Sequence, residues 1–244
     1  MAGHSKWSNI KKKKEKTDAQ RAKVFTKIGR EISVCVREGG PDPTTNARLR
    51  DLIAKAKANN VPNDNIDRLI KKASGDGDKE TYENIVYEGY GPNGVAVIVE
   101  CLSDNRNRTA SDIRHYFDKF GGNLGTTGCV SFMFTQKGVI IAETGDRDEE
   151  EIMEDCFEAG AEDFTIEDGE VEFLSESGDF TAVRDYITEK GYTILSAEIE
   201  QIPSTYTKLE DEELITKMTN LLDALEDNDD VQDVWHNWEY DGEE

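Results

Sequence analysis

The spacing of the apolar residues changes near residue 78, and no other feature constrains the fold of this 244-residue chain as strongly. Before that point apolar residues recur every three or four positions, as Val24, Ile28 and Ile32 do, which is the period of a helix with one buried face. Similar patterns near residues 45–59 and 63–73 predict two further helices. Their short connections predict a small antiparallel bundle.

Beyond residue 78, strand and helix patterns alternate. Between residues 130 and 200 they follow the order β-α-β-β-α-β, which is typical of a ferredoxin-like unit. Strand patterns at 130–134 and 139–142 come first, and a strand near 192–200 comes last. The pair Asp168-Gly169, with alternating runs on both sides, predicts the hairpin in the middle.

Two incomplete pieces flank this unit, two strands and a helix at 84–120 and a short strand, a helix and a last strand at 205–238. Neither piece can bury its apolar face alone, so we expect them to pack together. The predicted fold class is α+β, with an N-terminal helical domain and two mixed α/β domains, of which one is ferredoxin-like and inserted into the other. The predicted domains are residues 1–78, residues 79–129 with 203–244, and residues 130–202.

Charge is divided unequally along the chain. The net charge is −23, yet residues 1–78 contain 18 Lys and Arg against 10 Asp and Glu, and the remainder contains 11 against 42. The basic end can meet a polyanion, whereas the acidic body repels one. Trp7 could stack on an unpaired base. The predicted phosphate contacts are Lys6, Lys11, Lys12, Lys13, Lys14, Lys16, Arg21, Lys23, Lys27, Arg30, Arg48, Arg50, Lys55 and Lys57. The alternative is a solvated basic tail.

A polar loop at Asp104–Thr109 precedes a predicted helix. Arg106 and Arg108 are secondary candidates for phosphate contacts. Asn and Thr side chains in the same loop could instead cap the helix. Both interpretations stay open.

Other motifs point to structure and not to chemistry. Gly89-x-Gly91-x-x-Gly94 matches the dinucleotide fingerprint by letter, but a strand follows it, so we expect a hairpin turn. No His or Cys lies three to five residues from any of the three histidines, and a zinc site is not expected. The acidic clusters at 146–155 and 210–213 are interpreted as helix N-termini.

The four cysteines include no Cys-x-x-Cys pair, and no secretory signal or membrane-spanning run is evident, so we expect reduced thiols in a cytoplasmic protein. Nothing nominates catalytic residues, a metal or a cofactor. An enzyme on a ferredoxin-like scaffold is a separate hypothesis, and it would need an enclosed pocket in which His115 or a cysteine faces a carboxylate.

The opening Met-Ala-Gly-His-Ser-Lys-Trp-Ser-Asn-Ile-Lys is similar to the start of the YebC/PmpR family. Further matching segments are Lys27–Ile32, Tyr87–Pro92, Asp104–Thr109, Gly121–Gly125 and Ile202–Ser204. The resemblance implies a three-domain α+β protein without catalytic residues. It also implies nucleic-acid contacts at His4, Ser5, Lys6, Trp7, Asn9 and Lys11.

Members of that family resemble DNA-binding transcriptional regulators in some systems and, in others, ribosome-associated translation factors that relieve stalling; a mitochondrial translational activator is also a member. We therefore expect a non-enzymatic regulator that binds DNA, or alternatively rRNA or tRNA on the ribosome. In the DNA version a bundle helix lies in a major groove. The acidic face could take a protein partner, no membrane is involved, and a monomer is favoured.

Overall fold

A computed structural model describes residues 18–75 and 81–239 of the chain. The helices are α1 (Asp18–Gly39), α2 (Ala47–Ala58), α3 (Asn63–Ala73), α4 (Arg106–Lys119), α5 (Glu149–Ala159), α6 (Phe180–Glu189) and α7 (Glu212–Glu226). The strands are β1 (Glu83–Tyr90), β2 (Ala96–Ser103), β3 (Asn123–Leu124), β4 (Phe134–Glu143), β5 (Asp163–Glu167), β6 (Glu170–Glu176), β7 (Ile194–Pro203), β8 (Thr207–Lys208), β9 (Val231–His236) and β10 (Trp238–Glu239).

The described residues form two compact units, one from those up to Val130 together with those from Thr207 onwards, the other from Ser131–Tyr206. The architecture is mixed α+β, as the sequence predicts. The finer division into three domains stays a prediction.

In the first unit, α1 packs against both α2 and α3. The buried side chains of this bundle include Ile28, Ile32 and Leu49, which follow the predicted helical period. Asn46 caps α2 by accepting a hydrogen bond from the Leu49 amide, and its side-chain amide donates to the carbonyl oxygens at the end of α1. One side chain thus holds the end of α1 against the start of α2.

The rest of the first unit is built on a four-stranded sheet of order β3-β1-β2-β9. Helices α4 and α7 share its core, in which Ile113 and Phe117 cluster with Met218, Leu221 and Leu225. The two incomplete pieces of the sequence therefore do pack together. β8 and β10 form a small parallel pair beside them.

The second unit has an antiparallel sheet of order β5-β6-β4-β7, with α5 and α6 packed on one face. Ile140, Phe173, Val183 and Ile187 are fully buried between the helices and the sheet. The order of elements and the strand arrangement are those of the ferredoxin-like unit that the sequence predicts.

One strand prediction is wrong. The sequence pattern gives two strands, at 130–134 and 139–142, but Ser131–Met133 form a 3-10 turn and β4 is a single strand of ten residues. The interruption in the apolar pattern includes Gly138, where an added Cβ would lie 2.4 Å from Ser175 Oγ and 2.8 Å from Phe180 Cβ. The glycine thus permits close packing within a continuous strand and does not end it.

Two other sequence interpretations are confirmed. The Gly89–Gly94 run joins β1 to β2 as a hairpin, with Asn93 and Gly94 at positive φ. The acidic clusters begin helices, because Asp148 caps α5 and Asp211 caps α7 through their side chains. Within the described residues no helix has the length and apolarity needed to cross a membrane.

Candidate nucleic-acid interface

Many of the predicted contacts belong to the first residues of the chain. The ones that lie outside the described residues are His4, Ser5, Lys6, Trp7, Asn9, Lys11, Lys12, Lys13, Lys14 and Lys16. Arg21 is part of α1, but its side chain is also outside what the structure describes. These residues remain predictions.

Three predicted cations on α1 face the acidic loop between α7 and β9. Lys23, Lys27 and Arg30 are spaced by four and three residues, so they share one side of the helix. Lys23 Nζ lies 2.6 Å from a carboxylate oxygen of Asp227, and Lys27 Nζ donates to the Glu226 carbonyl at 2.9 Å. This side of α1 therefore contacts the acidic part of the chain, whereas the sequence alone predicts that the basic and acidic parts stay apart.

Asp230 is the centre of this contact and is only 3% exposed. Its Oδ1 accepts from Arg30 Nη1 at 2.6 Å, and its Oδ2 accepts from Arg108 Nη2 at 2.7 Å. The hydroxyls of Thr109 and Ser103 donate to the same Oδ2 at 2.8 and 3.1 Å. A buried carboxylate is tolerated in a protein when it is paired and hydrogen-bonded in this way.

The electrostatics of Asp230 follow from these contacts. Burial alone would raise the pKa of Asp230, but the hydrogen bonds from Arg108, Thr109 and Arg30 outweigh it and the pKa is lowered. The hydrogen bonds to Asp230 and Asp104 in turn raise the pKa of Arg108. Asp230 and Arg108 are therefore both charged at neutral pH.

These contacts decide much of the open question about the polar loop. Asn105 caps α4 by accepting from the Arg108 amide, and Thr109 is buried against Ser103 and Asp230. Arg108 pairs with Asp104 at 2.8 Å as well as with Asp230. The capping interpretation therefore holds for Asn105, whereas Thr109 belongs to the Asp230 cluster. Arg106 is exposed at the start of α4, and phosphate contacts by Arg106 and Arg108 stay predictions.

Cations of α2 and α3 lie on the outside of the bundle. Arg50 and Lys57 are exposed, and with Ala47 and Ala54 they form one face of α2 at helical spacing. The first turn of α2 contains no acidic residue, and the one acid of the helix, Asp51, is half-buried. This cationic face of α2 is available to a polyanion.

The other predicted cations of α2 have acidic neighbours. Arg48 lies 3.2 Å from Glu38 at an exposed position, and Lys55 lies 3.7 Å from Glu31. Exposed pairs of this kind contribute little to stability, so Arg48 can exchange its partner at low cost. The exposed cations of α3 are Arg68, Lys71 and Lys72.

An open depression of about 570 Å³ is lined by Lys23, Arg30 and Arg108 together with five aspartates, of which Asp230 is one. Over residues 18–75 and 81–239, no three His, Cys, Asp or Glu side chains are placed to hold a metal ion.

The cysteines are not activated. Cys35, Cys101 and Cys156 are buried and Cys129 is half-buried. Burial raises the pKa of each thiol, to about 12 for Cys101. A thiol in this state is a poor nucleophile.

Two carboxylates are buried among the described residues of the first unit, and sequence reasoning missed both. One is Asp230, and the signal for it is the run of acids at 226–230, which needs nearby cations when it is packed against the protein. The other is Glu88, which is 3% exposed and accepts hydrogen bonds from the amides of Gly128 and Val130. Glu88 therefore fixes the chain where it leaves the first unit.

Comparisons with known proteins identify relatives over almost the whole chain. The family model of the TACO1/YebC N-terminal domain matches residues 5–76, and that of the TACO1/YebC second and third domain matches residues 82–238. A Finegoldia magna protein is 59% identical over 98% of this chain and 99% of its own length, and a Caldicellulosiruptor bescii protein is 59% identical over both full lengths. Both are named "Probable transcriptional regulatory protein".

A solved structure agrees with these matches. The crystal structure of a conserved hypothetical protein from Aquifex aeolicus superposes with a TM-score of 0.82 at 45% identity and covers 92% of each chain. The same fold thus accompanies the sequence similarity over both units. On these grounds the chain belongs to the TACO1/YebC family.

Proposed function

We propose that this chain is a non-enzymatic regulatory protein that binds nucleic acid through its basic N-terminal residues and the outer cations of the helical bundle. The names of its relatives support regulation of transcription. The observation that carries the proposal is the cationic face of α2 in a chain whose residues beyond 78 hold 42 acidic and only 11 basic residues. Phosphates are attracted to the cationic face of α2 and repelled by the acidic residues beyond 78.

The first version is a DNA-binding transcriptional regulator in which α2 approaches the duplex. Arg50 and Lys57 would contact phosphates, and the small side chains of Ala47 and Ala54 allow the helix to come close to the backbone. α3 is less suitable as a groove-reading helix, because its first turn contains Asp64 and it exposes Asp67 one turn later. Phosphate contacts from Arg50 and Lys57 would orient the protein on the duplex without reading the base sequence.

The second version is a ribosome-associated translation factor whose basic residues contact rRNA or tRNA. One observation favours it: besides Arg50 and Lys57, which the first version assigns to phosphates, the cationic face of α2 holds only two alanines, so it has no further side chain that could hydrogen-bond to base edges. A surface that binds phosphates through shape and charge suits structured RNA.

The two versions are separated by one experiment on the full chain. Lysate is sedimented through sucrose at low and high salt, and the purified protein is tested by gel shift on duplex DNA. Salt-sensitive migration with ribosomes supports the translation version, whereas specific retention of duplex DNA without such migration supports the transcription version. If the protein binds neither, the proposal is wrong.

The contribution of the bundle is tested by changing Arg50→Gln and Lys57→Gln together. We expect the affinity for nucleic acid to fall. The slope of log K against log salt should become less steep by the amount that corresponds to up to about two phosphate contacts. Lys217→Gln is the control. Lys217 pairs with Glu213 on α7, so this substitution removes an exposed positive charge outside the helical bundle. Changing Lys11, Lys12, Lys13 and Lys14 to Ala tests the basic N-terminal residues with the same readout.

A further inference from the structure

Two large apolar side chains are exposed on α5 of the second unit. Phe157 is 86% exposed and Met153 is 52% exposed, and they are four residues apart on the helix. Side chains at this spacing are neighbours on a helix surface. Single exposed apolar residues are ordinary, whereas exposed apolar side chains that lie together as one patch mark interaction sites.

The contacts of α5 show which side of the helix carries this pair. Asp155 and Glu158 face α6, since Lys190, just after α6, lies 2.8 Å from Asp155 and 3.2 Å from Glu158. Successive residues are rotated by about 100° around a helix, which puts Met153 and Phe157 on the flank away from α6. α5 contacts β5, so this flank lies above the outer strand of the sheet.

The strand below this flank adds a third exposed apolar side chain. Ile166 of β5 is 38% exposed, and it pairs with Val171, a core residue on the face that carries the helices. We refer to Met153, Phe157 and Ile166 as the apolar shelf. Among the described strands, β5 pairs with β6 alone, so its other edge is open along the shelf.

The charge around the shelf indicates what can cover it. Residues 149–167 contain nine acidic residues and no Lys or Arg. Such a surface repels nucleic acid and attracts basic protein. An open strand edge accepts an extended segment through main-chain hydrogen bonds, and alternate side chains of that segment then point to the same face.

We propose that the apolar shelf and the open edge of β5 are a docking surface for an extended segment of a partner protein in which Lys or Arg alternates with apolar residues. The apolar side chains would cover Met153, Phe157 and Ile166, and the cations would lie against the surrounding carboxylates. This surface is independent of the proposed nucleic-acid contacts, so either proposal can fail without the other.

The test uses the full chain and a dye-labelled peptide of alternating lysine and valine, with fluorescence anisotropy as the readout. We expect saturable binding, with perturbed amide NMR signals in β5 and α5. Phe157→Ala should weaken it by at least about fivefold, because exposed aromatic anchors dominate such interfaces. Phe132→Ala is the matched control, since Phe132 is 76% exposed but lies outside the shelf, and it should leave the affinity unchanged.

Two further peptides separate the contributions. A lysine–serine peptide should bind much more weakly because it lacks apolar side chains, and a glutamate–valine peptide should not bind. The proposal is overturned if the lysine–valine peptide does not bind, if Phe157→Ala binds it as tightly as the unchanged protein, or if lysine–serine binds equally well. It is also overturned if the free chain is a dimer that Phe157→Ala converts to a monomer, because a second copy then covers the shelf.

Discussion

Asp230 carries a buried charge that four side chains satisfy, and this arrangement makes it sensitive to substitution. In Asp230→Asn, Arg30 and Arg108 lose their shared counter-charge while the amide places a donor against other donors. We expect the free energy of unfolding to fall by about 3 kcal/mol. Urea denaturation followed by tryptophan fluorescence measures it, since Trp235 and Trp238 belong to the same unit. Asp229→Asn, at an exposed position, should change it by less than about 0.5 kcal/mol.

The same residue predicts a pH dependence. The pKa of Asp230 is lowered in the folded protein, so its contribution to stability is complete above the ordinary carboxyl pKa of about 3.9 and is lost as the pH falls through the lower folded value. The stability difference between the unchanged protein and Asp230→Asn should therefore be constant from neutral pH to about pH 5 and shrink at lower pH. A difference that persists undiminished into strong acid would contradict this account.

Gly89 is fixed by close packing and not by backbone conformation. An added Cβ would lie 2.6 Å from the Asn123 carbonyl oxygen and 2.9 Å from the Phe117 ring. Gly89→Ala must therefore push β3 or α4 away from β1, at a cost of about 1–3 kcal/mol. Gly75→Ala is the control, since Gly75 belongs to the same unit and no atom lies nearer than 3.6 Å to its added Cβ. If both variants unfold at the same urea concentration, the close approach at Gly89 is not a constraint.

At the scale of elements, the loop between α7 and β9 occupies cations that could otherwise meet phosphate. Asp227→Asn removes the carboxylate that lies 2.6 Å from Lys23 and should raise the affinity for nucleic acid about two- to fivefold at low salt. Asp223→Asn on α7 changes the net charge equally, so the difference between the variants isolates Lys23 in salt-titrated binding assays. Equal affinities would mean that the loop does not compete with phosphate.

Element types were predictable from the sequence because apolar spacing reports burial directly. The three bundle helices and the β-α-β-β-α-β unit follow from it, as does the pairing of the two incomplete pieces. β4 was split in the prediction because Gly138 lacks the side chain that marks a strand, and the contact explaining that glycine comes from Phe180, far away in sequence.

The candidate site was less predictable than the fold. Sequence identifies Lys23, Lys27 and Arg30 as cations on one side of a helix, but their partners lie about 200 residues later, at Glu226, Asp227 and Asp230. Charge counts along the sequence place the basic and acidic residues in separate regions, whereas folding brings some of these residues into contact. The cationic face of α2 was predictable, since its exposure follows from the position of the buried Leu49 and Leu52 on the opposite side.

At the scale of the whole molecule, each unit has its own buried core, and this predicts separate unfolding transitions. All tryptophans lie outside residues 131–206, so tryptophan fluorescence reports on the first unit, whereas far-UV circular dichroism reports on both. Ile187→Ala removes a fully buried side chain from the second unit, at a cost of about 2–5 kcal/mol. It should lower the midpoint of part of the dichroism signal and leave the fluorescence midpoint unchanged.

Leu221→Ala, fully buried in the first unit, is the reciprocal variant and should lower the fluorescence midpoint. The pair is informative because both changes truncate core residues of similar size, so a general loss of stability would affect the two signals alike. If Ile187→Ala lowers the fluorescence midpoint as far as it lowers the dichroism midpoint, the two units unfold as one cooperative body. In that case, separate cores in the folded chain do not make separate folding units.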